Sequence, residues 1–158
     1  DDQGSQFDKM GNMNDWWTKE DRAAFEKKTQ VLVDQFNAIE ILPGLMADGK
    51  FSLGENIADQ GGLRLAFTGL TDYAWAEGRP ADIDGFTGEQ RFYIGYATLW
   101  AQNITDKEKE NLTKNDVHSL GRNRVNATLR NIQSWYDAFG ITEEDAMFMP
   151  VEERVIIW

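Results

Sequence analysis

The stretch at residues 53–67, LGENIADQGGLRLAF, constrains the fold more than any other part of the chain. Ser52 and Glu55 stand three positions apart, which is the spacing of a capping box that satisfies backbone N–H groups at a helix start. Apolar residues continue from there through Tyr73. We therefore predict a helix over residues 53–73.

The predicted helix carries carboxylates and glycines on one face. Glu55, Asp59, Gly62 and Ala66 advance by four, three and four positions, so they lie on one side of a helix. A glycine within a helix costs about 1 kcal/mol relative to alanine, and the adjacent Gly61 and Gly62 therefore need a compensating role. Because glycine lacks a side chain, it lets a neighbouring element approach closely. We expect this face to pack tightly against another element.

The other segments indicate a mainly α fold. Capping signals and apolar periodicity predict four further helices: over residues 18–39, from residue 87 with aromatic residues at 92, 96 and 100, within 105–116, and over 132–139. An Asp48-Gly49 turn predicts a short hairpin near residues 42–52. Residues 117–131 have no sustained period, and no helix is predicted there. The apolar last residues predict a docked C-terminus.

Length and composition narrow the class of function. At 158 residues the chain is long enough for one compact domain, and we predict a single unit over residues 1–158. A net charge of -11 leaves no basic surface for a phosphate backbone, so no nucleic-acid partner is expected. The absence of cysteine excludes disulfides, thiolate catalysis and cysteine-based zinc sites.

Glu55 and Asp59 have two interpretations. Two carboxylates one helical turn apart are ordinarily solvated and without a special role. A carboxylate face that packs against another element must instead be neutralised, because an unpaired buried charge is very costly. A bound metal would neutralise it, with Glu55 as a direct ligand and Asp59 accepting a hydrogen bond from a metal-binding imidazole.

His118 is the only histidine, and Arg122 and Arg124 follow it closely. It is either a hydrogen-bonded structural residue or a catalytic group mounted on a loop. Arg124 either grips a carbonyl or carboxylate with its planar guanidinium or forms a surface ion pair. A catalytic zinc site uses about three protein ligands, so the other ligands of any metal here must lie outside this chain.

Four stretches together resemble the neprilysin-like family of zinc endopeptidases, which includes endothelin-converting enzymes and bacterial PepO-type oligopeptidases. They are, in chain order, DDQGSQFDKMGNMNDWW, GENIADQGGL, DVHSLGRNRVNATLRN and ERVIIW. The resemblance implies the C-terminal helical part of a thermolysin-like (gluzincin) metallopeptidase catalytic domain. It places the chain just after the family's H-E-x-x-H helix, whose second histidine is expected three residues before Asp1.

The resemblance also implies roles for individual residues. Glu55 corresponds to the third zinc ligand, and Asp59 to the residue that orients one of the two zinc-binding histidines upstream. His118 corresponds to the histidine that stabilises the oxyanion of the tetrahedral intermediate. Arg124 corresponds to the arginine that hydrogen-bonds the substrate backbone, and Asn126 lies in the same matched segment and is assigned to substrate binding.

The function implied is zinc-dependent hydrolysis of peptide substrates, with Zn²⁺ as cofactor. The two histidine ligands and the general-base glutamate would come from the upstream part of the same polypeptide, so the chain alone is predicted to be inactive and to bind zinc weakly. We expect self-association of the isolated chain through the groove that the missing helix would cover. The resemblance to bacterial members implies the periplasm or the cell surface.

Two positions depart from the family pattern, and one alternative function stays open. Leu120 stands where the family commonly has proline, and Ala127 where it has glycine. The alternative is a non-catalytic helical module that binds peptides or other proteins and descends from the peptidase fold. Such a module would have no need to keep Glu55 together with Asp59, His118 and Arg124, so the joint presence of these four residues favours the peptidase.

Overall fold

The computed structural model describes residues 2–158, and the fold is mainly helical, as predicted. Within these residues there are six α-helices and one two-stranded sheet. The helices are α1 Lys19–Asn37, α2 Leu53–Glu77, α3 Gly88–Leu99, α4 Asp106–Asn115, α5 Gly121–Leu129 and α6 Gln133–Phe139. The strands are β1 Glu40–Leu42 and β2 Leu45–Met46. None of the helices in this part of the chain is both long and apolar enough to cross a lipid bilayer.

Threonine side chains cap three of the predicted helices. Thr18 accepts a hydrogen bond from the backbone N–H of Asp21, and Thr105 accepts one from Glu108. Thr87 forms a full capping box with Gln90, in which each side chain bonds the other residue's backbone N–H. Gly140, with a φ of 64°, ends α6 in the left-handed conformation that favours glycine. These boundaries confirm the capping predictions at Thr18, Thr87 and Thr105 and the predicted stop at Gly140, whereas the Ser52 hydroxyl bonds Asp48 and Asn56 and the capping box predicted with Glu55 stays a prediction.

The predicted hairpin is present, but its turn lies upstream of the predicted one. β1 and β2 pair antiparallel, with Leu42 opposite Leu45, so the chain turns at Pro43 and Gly44. Gly44 has a φ of 80°, which glycine adopts without strain. The prediction that Asp48 and Gly49 close the hairpin was wrong.

Asp48 instead shapes the approach to α2. Its Oδ1 accepts hydrogen bonds from the backbone N–H groups of Lys50 and Phe51, which is a local turn stabilised by a side chain. Gly49 is packed so closely that a Cβ there would lie 2.3 Å from the carbonyl oxygen of Val33 on α1. Glycine is therefore required at position 49 by close packing rather than by a hairpin turn.

Contacts divide the chain into two compact units. The first contains the chain up to Ala58 together with Ile104–Leu120 and Val155–Trp158, and the second contains Asp59–Asn103 and Gly121–Arg154. Helix α2 therefore contributes its first residues to one unit and the rest to the other. Each unit has its own buried apolar residues.

The first unit buries apolar residues of α1, of the start of α2 and of the C-terminus. These residues are Leu32, Val33, Phe36, Leu53, Ile57, Val155 and Ile157. Trp158 stacks on Phe25 with 5.5 Å between ring centroids, although its side chain is partly exposed. The prediction of a docked C-terminus is confirmed.

The second unit has an aromatic core to which α5 contributes Val125 and Leu129. Its buried members are Leu63, Tyr93, Val125, Leu129, Ile132, Trp135 and Tyr136. Helix α5, Gly121–Leu129, corrects the prediction that residues 117–131 contain no helix. Seven of its nine residues are buried, and three of these, Asn123, Arg124 and Thr128, are polar, so polarity in the sequence does not mark the exposed side of this helix.

The glycine face of α2 is open in the part of the chain that the structure describes. A Cβ added at Gly62 would have no atom within 4 Å. Leu65 and Trp75 on the same helix are 77% and 93% exposed. No described residue approaches Gly62 closely, although Asp59 on the same face contacts Arg124, so the element predicted to pack against the glycines stays a prediction.

Candidate active site

His118 and Glu55 meet in the first unit. The His118 Nε2 atom lies 3.1 Å from Glu55 Oε2, and the two side chains are 43% and 39% exposed. Glu55 lies in the first turn of α2, while His118 lies on the irregular segment between α4 and α5. Glu55 also lines an open cavity of about 560 Å³ within this unit. The only imidazole of the chain is therefore beside an accessible carboxylate.

Asp116 holds the other side of the His118 ring. Its Oδ1 lies 2.7 Å from His118 Nδ1 and also accepts a hydrogen bond from the backbone N–H of His118. With a carboxylate oxygen at each ring nitrogen, the doubly protonated imidazolium can donate to both. Sequence analysis did not single out Asp116, and the only signal for it was its position two residues before His118.

Asp59 and Arg124 form a bidentate ion pair in the second unit. Arg124 Nε donates to Asp59 Oδ2 and Arg124 Nη2 donates to Asp59 Oδ1, each over 2.7 Å. The side chains are only 9% and 11% exposed. Two parallel hydrogen bonds to a carboxylate fix a guanidinium more firmly than a single contact would.

Two aromatic residues of the α3 region also contact Arg124. Its guanidinium carbon lies 3.7 Å from the centroid of the Trp100 ring, within the range of a cation–π contact. The hydroxyl of Tyr96 donates to the backbone carbonyl of Arg124 over 3.0 Å. Burial raises the pKa of Tyr96, and the negative charge of Asp59 raises it further. Sequence analysis had assigned both aromatic residues only to one face of a helix.

Asn126 lies two residues beyond Arg124 on α5. It is half-buried, and its side chain has no hydrogen-bond partner within residues 2–158. The start of α5 is fixed by Gly121, where a Cβ would lie 2.4 Å from the carbonyl oxygen of Trp100. That close approach ties the helix bearing Arg124 and Asn126 to the end of α3.

The donors in this chain fit only part of a metal site. No group of three or more histidine, aspartate or glutamate side chains in the described range is arranged to hold a metal ion. Glu55 with His118 provides one carboxylate and one imidazole, whereas protein zinc sites use at least three ligands. The Glu55 carboxylate is accessible and suits one ligand position, and the others would have to come from outside the described chain.

The structure thus brings together two pairs of the residues predicted from sequence. Glu55 pairs with His118 in the first unit, and Asp59 pairs with Arg124 in the second. Glu55 and Asp59 are separated by one turn of α2.

Known proteins match this chain along its whole length. A sequence profile of peptidase family M13 matches residues 1–155. The neutral endopeptidase of Lactococcus lactis is 35% identical over 158 residues, which is 100% of this chain and 23% of that protein. Neprilysin-1 of Caenorhabditis elegans is 34% identical over 163 aligned residues, with 100% of this chain and 21% of that protein covered. The chain therefore spans about a quarter or less of the length of these relatives.

Solved structures agree with the sequence matches. The Mycobacterium tuberculosis zinc metalloprotease ZMP1, in complex with an inhibitor, aligns with a TM-score of 0.89 at 39% identity, over 100% of this chain and 25% of that one. PepO from Lactobacillus rhamnosis aligns with a TM-score of 0.80 at 29% identity, over 96% of this chain and 22% of that one. The family match covers nearly every residue, and the helices follow the fold of zinc metalloproteases. The chain belongs to peptidase family M13.

Proposed function

We propose that this chain supplies part of the catalytic domain of a zinc-dependent endopeptidase that cleaves peptides. The observation that carries the proposal is the contact of Glu55 Oε2 with His118 Nε2 at 3.1 Å, with both side chains accessible. An ion pair between an exposed carboxylate and an exposed histidine contributes little to stability. A metal ligand next to a proton donor is instead an arrangement that supports catalysis. Membership of a peptidase family supports the same interpretation.

In the proposed site Glu55 is one zinc ligand, and the two histidine ligands come from the upstream part of the polypeptide. A zinc ion held there would polarise the substrate carbonyl and lower the pKa of a bound water. His118 donates from Nε2 to the oxyanion that forms when the carbonyl is attacked. Asp116 accepts from Nδ1, which fixes the orientation of the ring.

Arg124 is proposed to bind the substrate backbone, with Asn126 contributing beside it. Asp59 holds the guanidinium through two hydrogen bonds. Because the Arg124 side chain is already ordered, peptide binding costs little of its conformational entropy. Each carboxylate oxygen has two lone pairs, so Asp59 can hold Arg124 and still accept a hydrogen bond from a zinc-binding histidine. Both roles proposed for Asp59 are thus compatible with the observed ion pair.

The test is the Glu55→Gln substitution in the full-length protein. Glutamine keeps the size of the side chain but removes its negative charge, so zinc affinity should fall by at least the roughly 10- to 100-fold that is typical when a group supporting a metal ligand is lost. Zinc content is measured by elemental analysis after dialysis, and activity with an internally quenched peptide. Glu143→Gln, at an exposed glutamate, is the matched control and should keep both.

Zinc content and activity that survive Glu55→Gln would contradict the proposal. The non-catalytic binding module would then be the better account, since the described residues contain no complete metal site of their own. The location outside the cytoplasm is proposed on the resemblance to bacterial members alone. The single catalytic-domain segment predicted for residues 1–158 also stays a proposal.

A further inference from the structure

Three hydrogen bonds form a chain from Ser119, the residue after His118, through Asn56, the residue after Glu55, to Ser52 and Asp48. The Ser52 hydroxyl donates to the carbonyl oxygen of Asp48 over 2.8 Å. The Asn56 side-chain Nδ2 donates to the Ser52 hydroxyl over 3.0 Å, and the Ser119 hydroxyl donates to Asn56 Oδ1 over 2.9 Å. All four residues belong to the first unit.

We call these three hydrogen bonds the relay. Their donor and acceptor directions follow from the number of protons that each side chain can donate. Ser52 has one hydroxyl proton, and it is used on the Asp48 carbonyl. Ser52 must therefore accept from Asn56, which turns the Asn56 amide so that Nδ2 faces Ser52 and Oδ1 faces Ser119. Only a donor can satisfy Oδ1, and the Ser119 hydroxyl is that donor.

Asn56 is rigid as well as oriented. It is 1% exposed, and Ser52 is 5% exposed, so neither side chain can exchange its partner for water without opening the unit. Satisfied buried polar networks hold a single geometry more strictly than apolar contacts do. Ser119, by contrast, sits on the irregular segment between α4 and α5 and has no helix to hold it.

Two residues of the relay are adjacent in sequence to Glu55 and His118, the residues that meet in the candidate site. Asn56 directly follows Glu55, and Ser119 directly follows His118. A bond from Ser119 to Asn56 therefore fixes the backbone bearing the imidazole against the helix bearing the carboxylate. Asp116 fixes the ring from the other side of His118.

We propose that Asn56 and Ser119 are positioning residues that set the distance between the His118 imidazole and the Glu55 carboxylate. They touch neither substrate nor metal and act through their neighbours. This inference depends on the proposed function, because it assigns the relay to the spacing between a zinc ligand and an oxyanion donor. A misplacement of about 1 Å in such a site can cost about 100-fold in rate.

The test compares three serine variants of the full-length protein. Ser119→Ala should lower kcat by about ten- to a hundredfold, change KM by less than about threefold, and leave zinc content unchanged. Ser119→Thr keeps the hydroxyl and should restore most of kcat. The control is Ser134→Ala, which removes another half-buried serine hydroxyl bond, to Tyr93 over 2.6 Å, in the other unit. It should lower the melting temperature as much as Ser119→Ala does while kcat stays unchanged.

A second readout does not depend on activity. In a crystal structure of the zinc-free Ser119→Ala protein, the distance from His118 Nε2 to Glu55 Oε2 should increase from 3.1 Å or become variable. The distance should stay unchanged in Ser134→Ala. Ser119→Ala with wild-type kcat and an unchanged distance would overturn the inference.

The outcomes separate this inference from the proposed function. Loss of zinc in Glu55→Gln together with a fully active Ser119→Ala refutes only the positioning role. Retention of zinc and activity in Glu55→Gln refutes both. The substitution Asn56→Ala, at a more deeply buried position, should reproduce the kcat loss, and adding Ser119→Ala to it should then cost little more.

Discussion

Arg124 is held by charge on one side and by an aromatic ring on the other. Asp59 takes two of its N–H donors, and the Trp100 ring lies 3.7 Å from the guanidinium carbon. Arginine suits this arrangement because its planar group can stack and donate in the plane at once. Lysine would satisfy the charge but lose both the parallel hydrogen bonds and the stacking.

Asp59→Asn should destabilise the protein strongly. Removing the charge leaves the guanidinium buried without its partner, and breaking such a pair costs about 3 kcal/mol in the free energy of unfolding. Urea unfolding of the full-length variant measures this cost. Asp72→Asn, at an exposed aspartate on the same helix, should change the unfolding free energy by less than about 0.5 kcal/mol. An Asp59→Asn protein as stable as the control would mean that the pair is solvated rather than buried.

The candidate residues could be found from sequence, but their pairing could not. Glu55 and His118 are 63 positions apart, and no local pattern relates the two segments. The resemblance pointed to Glu55, Asp59, His118, Arg124 and Asn126, while the ion pair between Asp59 and Arg124 appeared only in the fold. Asp116 and Asn56 were missed because their roles depend on contacts made after the chain folds.

Helix α3 carries two tyrosines with partly buried hydroxyl groups. Tyr93 bonds Ser134, and Tyr96 bonds the carbonyl of Arg124. Burial raises the pKa of both tyrosines, because a phenolate is poorly solvated inside the protein. The two tyrosines of α3 should therefore make the stability of the second unit depend on pH in the alkaline range.

The free energy of unfolding should fall as pH rises above about 10, the usual tyrosine pKa. Above that pH the unfolded chain loses the tyrosine protons while the folded chain keeps them, so each such tyrosine lowers stability by about 1.4 kcal/mol per pH unit. Tyr96→Phe should make the fall of the unfolding free energy with pH shallower by the contribution of one tyrosine. Urea unfolding between pH 8 and 11 measures this slope. Tyr73→Phe, at an exposed ring on α2, serves as control. An unchanged slope in Tyr96→Phe would count against the role of Tyr96.

Some helices and turns could be predicted from the sequence and others could not, for physical reasons. The starts of helices α1, α3 and α4 could be predicted from their threonine caps, because capping is encoded within three or four neighbouring residues. Helix α5 was missed because polar residues, Asn123, Arg124 and Thr128, occupy buried positions, so the alternation of polar and apolar residues on which pattern analysis depends does not follow burial. The hairpin turn was misplaced because Asp-Gly also serves other turns, here the one that leads into α2.

The described residues bury apolar side chains in two units but provide only a partial set of metal donors. One histidine, no cysteine and no cluster of three ligands within residues 2–158 leave zinc without a complete site. The catalytic function is therefore expected only in a longer polypeptide that provides the remaining ligands.

The 158-residue chain on its own should neither bind zinc tightly nor hydrolyse peptides. Equilibrium dialysis against zinc and an internally quenched peptide measure the two properties. Full-length protein at the same concentration serves as the positive control. Cleavage by the short chain that a chelator abolishes would contradict this expectation and would require a metal site that uses other residues of the chain.

Helix α2 runs without interruption past both Glu55 and Asp59. Each residue of an α-helix advances the chain by about 100° around the axis, so inserting or deleting one residue between them would turn one carboxylate away from the other's face. Substitutions leave that angle unchanged. In descendants of this sequence, the length of the segment between Glu55 and Asp59 should therefore be constrained more strictly than the identity of the side chains within it.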